Sequence, residues 1–251
     1  MRRIIYLLLP GIGLLIMAWQ MTRSAPVPPI AQSDTGFAVV ELFTSEGCSS
    51  CPPADRLLAQ LASRADNDAP IFALSFHVDY WNYLGWTDPY SDAAFSARQR
   101  TYSRVLGEGV YTPQMIVNGH EVFVGSNASK AEQALRKALA QPAPVELSLD
   151  LNKLAADELQ ATYHADHLPA DAVVHLALVE RGLAQDVTRG ENTGRTLTHE
   201  NVVRTFTTLP ADIHTTTLAL PADYVPGNTT LIAYAQHPAT MQILGATRID
   251  L

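Results

Sequence analysis

Cysteine is nearly absent from this chain: its 251 residues hold two, Cys48 and Cys51. That excludes the multi-disulfide framework of small secreted domains. It also excludes a four-cysteine zinc site, for which no second pair exists. Charge is sparse and of one dominant sign, with 17 Lys and Arg against 25 Asp and Glu and a formal charge of −8. Such a balance argues against nucleic acid or an anionic membrane surface as the main partner. The zincin signature HExxH is missing too, because Val203 stands where a second histidine would follow His199-Glu200. Only one long apolar run occurs, Ile4 to Trp19, and it falls short of the ~20 residues of a spanning helix. The remaining composition, 47% hydrophobic and 17% charged, supports a sizeable core. The length suits two domains, and no internal repeat is visible.

The apolar run carries an address. Arg2-Arg3 precede it and Ala25 follows, giving the basic, apolar and small-residue regions of a secretory signal. Arg23 and the run's length depart from the usual form, so an uncleaved anchor is the alternative. Residues 1–25 are accordingly expected to be a signal peptide or N-terminal anchor, and 26–35, with Pro26, Pro28 and Pro29, a linker. Loss of 1–25 removes three arginines and no acid, taking the charge to about −11. The folded part is expected in an oxidising extracytoplasmic compartment, periplasmic or secreted, with anchoring to the inner membrane as the variant.

What the chain does have is local and specific. Cys48-Ser49-Ser50-Cys51 is followed at once by Pro52-Pro53. Before it, Phe37–Phe43 reads as a buried strand; after it, Ala54–Ala62 reads as an amphipathic helix. A CxxC pair at a strand-to-helix junction is the sequence form of a thioredoxin-type redox site. The chemistry needs that placement, because the helix N-terminus offers partial positive charge and free N–H groups that lower the first thiol's pKa. Cys48, nearer solvent, is the expected nucleophile and Cys51 the resolving thiol. Pro52 and Pro53 suit a first helical turn, where a missing N–H costs nothing. A structural four-residue clip is the bland alternative, although so short a loop stabilises little.

Further along, Ile71–Val78 is a second strand, and a helix is expected over about 92–106. Tyr111–Val117 reads as a strand opened by Pro113, Asn118-Gly119 as a hairpin turn, and Glu121–Val124 as the returning strand. Ser129-x-x-Glu132 has capping-box spacing, and Leu135, Ala138 and Leu139 form the buried stripe of the helix behind it. From Val145 onward about seven short alternating runs are separated by turn residues, the pattern of a β-sandwich. A long connection, Arg181 to Asn201, interrupts them, and a loop of that length in a compact domain is usually functional or docked. Within it, Arg195 and His199 are placed either to fold over the redox site or to tie two sandwich strands.

The order strand–CxxC–helix–strand–helix, then Thr-Pro–strand–Asn-Gly–strand–helix, resembles the thioredoxin fold over residues 36–141. The stretches Glu41–Asp55, His77–Trp81 and Gly194–Arg204 are moreover similar to an exported bacterial family of thioredoxin-like proteins catalogued as a domain of unknown function. The resemblance implies an α/β fold class, a thioredoxin-like domain at 36–142 followed by an all-β sandwich-like domain at 143–251. It implies that Pro113 is a cis-proline beside the disulfide and that Thr112 is left free to pair with an incoming peptide. It makes Glu41, an acid in an apolar strand, a candidate proton shuttle for Cys51, the alternative being an outward-facing edge residue. It also opens the end of the second strand toward the CxxC, so that His77, Asp79 and Trp81 are candidate substrate-binding residues.

The expected activity is thiol–disulfide exchange with extracytoplasmic protein thiols or disulfides and a redox partner protein. No cofactor is expected beyond the redox-active disulfide Cys48–Cys51. The competing readings are a copper-binding or chaperone protein using Cys48, Cys51 and His77, and a non-catalytic binding module in which the disulfide is only a clip.

Overall fold

The computed structural model describes residues 36–65 and 70–251. The expected signal or anchor and the linker lie outside the described residues. Among those described, no helix is long and apolar enough to cross a membrane. The first half runs β1 (Ala38–Thr44), α1 (Pro52–Ala65), β2 (Ile71–His77), a 3-10 turn (Asn82–Leu84), α2 (Ala93–Leu106), β3 (Gln114–Val117), β4 (Glu121–Val124) and α3 (Ala128–Leu139). The second half is all strand: β5 (Glu146–Lys153), β6 (Glu158–Asp166), β7 (Val173–Glu180), β8 (Leu183–Asp186), β9 (Thr196–His199), β10 (Val202–Pro210), β11 (Thr215–Ala219), β12 (Thr229–Gln236) and β13 (Ile243–Asp250). The fold is therefore mixed α/β with a strand-rich C-terminal half.

Strand β1 is buried along its whole length, so its two faces sort its side chains. Val39, Glu41 and Phe43 point to the side covered by α2, where Phe43 meets Tyr102. Leu42 and Thr44 point to the other side, toward Ala54 and Asp55 of α1. This alternation follows from the period-2 geometry of a strand. It decides which residues can reach the disulfide.

A boundary between two separate domains at residue 142 is not what the sheet shows. One eight-stranded sheet runs β13-β12-β7-β10-β2-β1-β3-β4, and the described residues belong to one compact unit. The halves meet where β10 pairs β2 in parallel at Val202 and Ser75. Asn201, at positive φ, secures that seam: its carbonyl accepts from the Ser75 N–H at 2.8 Å and its side-chain amide donates to the Ala73 carbonyl at 2.9 Å. The sandwich texture is nonetheless real. A three-stranded sheet, β11-β6-β5, shares a second core with β7, β12 and β13, through Leu159, Ala161 and Tyr163 against Leu176, Leu178, Leu231 and Leu244.

Local expectations are met at several points and shifted at others, β3 for example starting at Gln114 rather than Tyr111. Helix α1 begins at Pro52 and α2 runs from Ala93 to Leu106, with Asp92 as its cap. Asn118 and Gly119 both take positive φ in the β3–β4 turn. Helix α3, however, starts at Ala128, capped by Asn127, whose side chain accepts from the Lys130 N–H at 3.0 Å. Ser129 is thus inside the helix, because Asn127 is the better-placed acceptor. Asn127→Ala is expected to cost about 1 kcal/mol in denaturant unfolding; no loss would show that the cap is idle.

Candidate functional site

The site forms where β1 and β2 end and α1 begins. Cys48 and Cys51 are joined by a disulfide with Cα atoms 5.4 Å apart. The Cys51 N–H donates to the Cys48 carbonyl, and the Cys51 carbonyl accepts from the amides of Ala54 and Asp55 in the first turn of α1. Ser49 and Ser50 are exposed, yet Cys48 is only 1% and Cys51 0% exposed. The CxxC is at the surface, but its sulfur-bearing residues are covered.

One wall is built by the segment after β2 and the turn before β3. The Thr112–Pro113 peptide is cis. The Trp81 indole N–H donates to the Thr112 hydroxyl at 2.8 Å. Trp81 also lies against Gly47, where an added Cβ would come within 2.9 Å of the tryptophan Cβ. Trp81 therefore links the loop before Cys48 to the residue before Pro113. Pro113, Leu42 and Ala54 all crowd the space where a side chain at Gly125 would stand, and the Gly125 N–H donates to the Pro113 carbonyl.

Below the disulfide lies a buried cluster of ionisable groups: Glu46, Asp55, His77, Asp88 and His199. Asp55 stands four residues after Cys51, one helical turn on, and accepts from the Thr44 hydroxyl at 2.7 Å. Burial raises its carboxyl above the ordinary range, against the opposing pull of His199 and His77. His77 Nδ1 lies 2.7 Å from an Asp88 carboxylate oxygen. Burial alone would lower the pKa of His77, but the Asp88 charge and hydrogen bond outweigh it and the net shift is upward. Burial would likewise raise Asp88, and His77 and backbone donors hold it below its usual value. The two directions agree on a charged pair. His199 Nε2 lies 3.1 Å from Glu46, whose other oxygen accepts from the Trp86 indole at 2.8 Å. The remaining nitrogens, His77 Nε2 and His199 Nδ1, are buried without a protein hydrogen-bond partner.

The long connection closes the site from above. Strands β8 and β9 form a separate hairpin whose loop lies on the CxxC. The Glu191 carboxylate accepts from the Ser49 N–H at 2.9 Å. The Asn192 side-chain amide donates to the carbonyls of Glu46 and Cys48 at 2.8 and 3.0 Å, and Asn192 is fully buried. Arg195 donates to the Asn192 side-chain oxygen. Of the two placements expected for Arg195 and His199, the fold uses the one over the CxxC.

Several expected site residues are placed elsewhere. Glu41 is buried rather than at an outward edge: it faces α2, across the sheet from α1, and is paired with Arg98. His77 is fully buried and bound to Asp88, so it offers no surface to a substrate. Asp79 turns to Ser96 in the first turn of α2. Trp81 and Thr112 stay at the site, as do Pro113 and both cysteines. Among the described residues no three His, Cys, Asp or Glu side chains are gathered to hold a metal ion. Cys48, Cys51 and His77 are thus not assembled as a donor set in this disulfide-bonded form. Asp55, Glu46, Asp88, Glu191 and Asn192 carry the site without having been singled out. The available signal for Asp55 was its spacing, i+4 from Cys51 at a helix start.

A family of proteins described only as of unknown function, DUF1223, matches residues 39–236. The chain belongs to this family. A protein from Agrobacterium tumefaciens, known from its crystal structure, is 32% identical to it; the similarity covers 84% of this chain and 93% of that one, with a TM-score of 0.58. A domain of an outer membrane lipoprotein from Porphyromonas gingivalis is 14% identical over 43% of this chain and 88% of its own, with a TM-score of 0.26. No curated protein matches. The family match spans the CxxC, the buried cluster and the β8–β9 hairpin together, so the site lies wholly within the family's shared region.

Proposed function

We propose that this family member is a thioredoxin-like thiol–disulfide oxidoreductase acting on extracytoplasmic proteins. The observation that carries the reading is the disulfide at the head of α1 with a buried, protonation-prone carboxyl, Asp55, one turn behind Cys51. The cis Thr112–Pro113 bond supports it, as does Trp81, which ties that bond's threonine to the CxxC loop region. The N-terminal segment supports export, where such a disulfide persists or cycles.

In the oxidising direction a partner thiolate attacks Cys48 Sγ, the Cys48–Cys51 bond breaks, and Cys51 leaves with the electron pair. Asp55 delivers the proton that Cys51 takes up, or receives it in the reverse reaction. A second partner thiolate then attacks the partner's own sulfur in the mixed disulfide and releases Cys48. Two electrons pass from the partner dithiol to the Cys48–Cys51 disulfide, and a further redox protein must reset the site. The helix N-terminus favours Cys48 as the thiolate released.

Titration of the metal-free folded protein against glutathione tests this. A potential between about −270 and −120 mV, the span of thioredoxin-like catalysts, is the expected result. A value well below about −300 mV would mark a structural disulfide and remove the enzyme reading.

A further inference from the structure

We infer that the loop of the β8–β9 hairpin is a built-in pseudosubstrate, occupying with Glu191 and Asn192 the backbone groups beside Cys48 that an extended polypeptide substrate would use. The inference rests on the redox reading above and names its substrate class.

The hydrogen bonds define the argument. An extended peptide recognises another backbone by offering carbonyls to N–H groups and N–H groups to carbonyls. At the CxxC loop the free donor is the Ser49 N–H, and the Glu191 carboxylate fills it. The acceptors are the Glu46 carbonyl and the second lone pair of the Cys48 carbonyl, which also accepts from the Cys51 N–H, and the Asn192 amide donates to both. One side chain thus plays a peptide carbonyl and the next a peptide N–H. These groups lie more than 140 residues away in sequence, so their match to the loop is a tertiary construction.

Covering is the second observation. Asn192 is fully buried and Cys48 is 1% exposed although Ser49 and Ser50 beside it are exposed. A protein thiolate cannot reach Cys48 in this arrangement. A polypeptide that satisfied the same donor and acceptors would displace the loop and uncover the sulfur in one event. Gly190 and Gly194, both at positive φ, shape the turn, and the hairpin carries its own two-stranded sheet apart from the main one.

The test compares two reductions of the oxidised protein, one by dithiothreitol and one by reduced, unfolded ribonuclease A. In Glu191→Ala and Asn192→Ala the polypeptide rate is expected to rise at least about fivefold to tenfold relative to the dithiothreitol rate, as removal of one hydrogen bond by the first and two by the second implies. Glu191→Gln keeps a carbonyl acceptor and is expected to stay near the wild-type ratio. Thermal melts of the oxidised variants verify that each is folded. An unchanged ratio in both alanine variants, with measurable polypeptide exchange, overturns the inference alone. Exchange with dithiothreitol but none with the polypeptide in any variant overturns the inference together with the protein-substrate reading it rests on.

Discussion

Asp55→Asn is expected to slow disulfide exchange by about a hundredfold while making the oxidised protein more stable at neutral pH. The slowing follows from position. Asp55 is the buried carboxyl one turn behind Cys51, held by Thr44, and removal of a positioned proton donor typically costs ~10²-fold or more. The stabilisation follows from the raised carboxyl. A native carboxyl with a raised pKa binds its proton more tightly than the unfolded chain does. Stability is then complete below the ordinary value of 3.8 and is lost as pH rises through the folded pKa. Asparagine carries no such burden, so the variant's advantage should be absent near pH 3 and grow above pH 4. Rates with dithiothreitol from pH 4 to 9, paired with melting curves at pH 3 and pH 7, measure the two effects. An unchanged rate, or a variant less stable at pH 7, would rule out Asp55 as the shuttle.

Arg98→Met should produce the largest loss of stability, about 3–5 kcal/mol. Arg98 grips Glu41 through two nitrogens, at 2.6 and 2.9 Å, and both side chains are nearly excluded from water. Its guanidinium also lies 5.1 Å from the ring centres of Tyr102 and Phe206. The Tyr102 and Tyr234 hydroxyls donate to the same Glu41 oxygen, and burial pushes both phenols well above their ordinary pKa. Removing the cation leaves a buried carboxylate with neutral donors only. The pair Arg98→Met with Glu41→Gln should recover much of the loss, since removing both charges is far cheaper than removing one. Denaturant unfolding of the two single variants and the double gives the coupling. A single-variant cost under 1 kcal/mol would show the pair to be unimportant. The Cys48–Cys51 potential should be unmoved in the double variant, because Glu41 lies on the far face of the sheet. A shifted potential would restore Glu41 to the redox site.

This network also explains how two halves of different texture become one unit. Glu41 and Arg98 come from the first half, Tyr234 and Gln236 from β12 in the second. Arg98 donates to the Gln236 side chain at 3.1 Å, and Gln236 in turn accepts from or donates to His175, Tyr102 and the Met241 carbonyl. A buried polar network of this kind is stable only when every member is satisfied, which demands that both halves be in register.

The chain's local chemistry determined a good deal by itself. The strand, CxxC and helix around residues 37–65 were legible because hydrophobic period and helix-start signals act over a few residues. The same holds for the Asn118-Gly119 turn and the seven alternating runs after Val145. The hairpin inside 181–201 was less legible, since Leu183–Asp186 and Thr196–His199 are four-residue strands too short to show a period. Tertiary structure alone decided the rest. An acid in an apolar strand gives no sign of which face it takes until its neighbours are known, so Glu41 read equally as a shuttle or as an outward-facing edge residue. An aspartate in the first turn of a helix ordinarily just meets the helix dipole in water, so Asp55 read as nothing. Only when Thr44, His77 and His199 close around it does burial change its proton affinity. The cover over Cys48 arises from side chains more than 140 residues away, and the single sheet arises from one short parallel seam at Val202. Long-range pairing of this kind leaves no periodic trace in the sequence, because each partner segment satisfies its own local pattern equally well with or without the other.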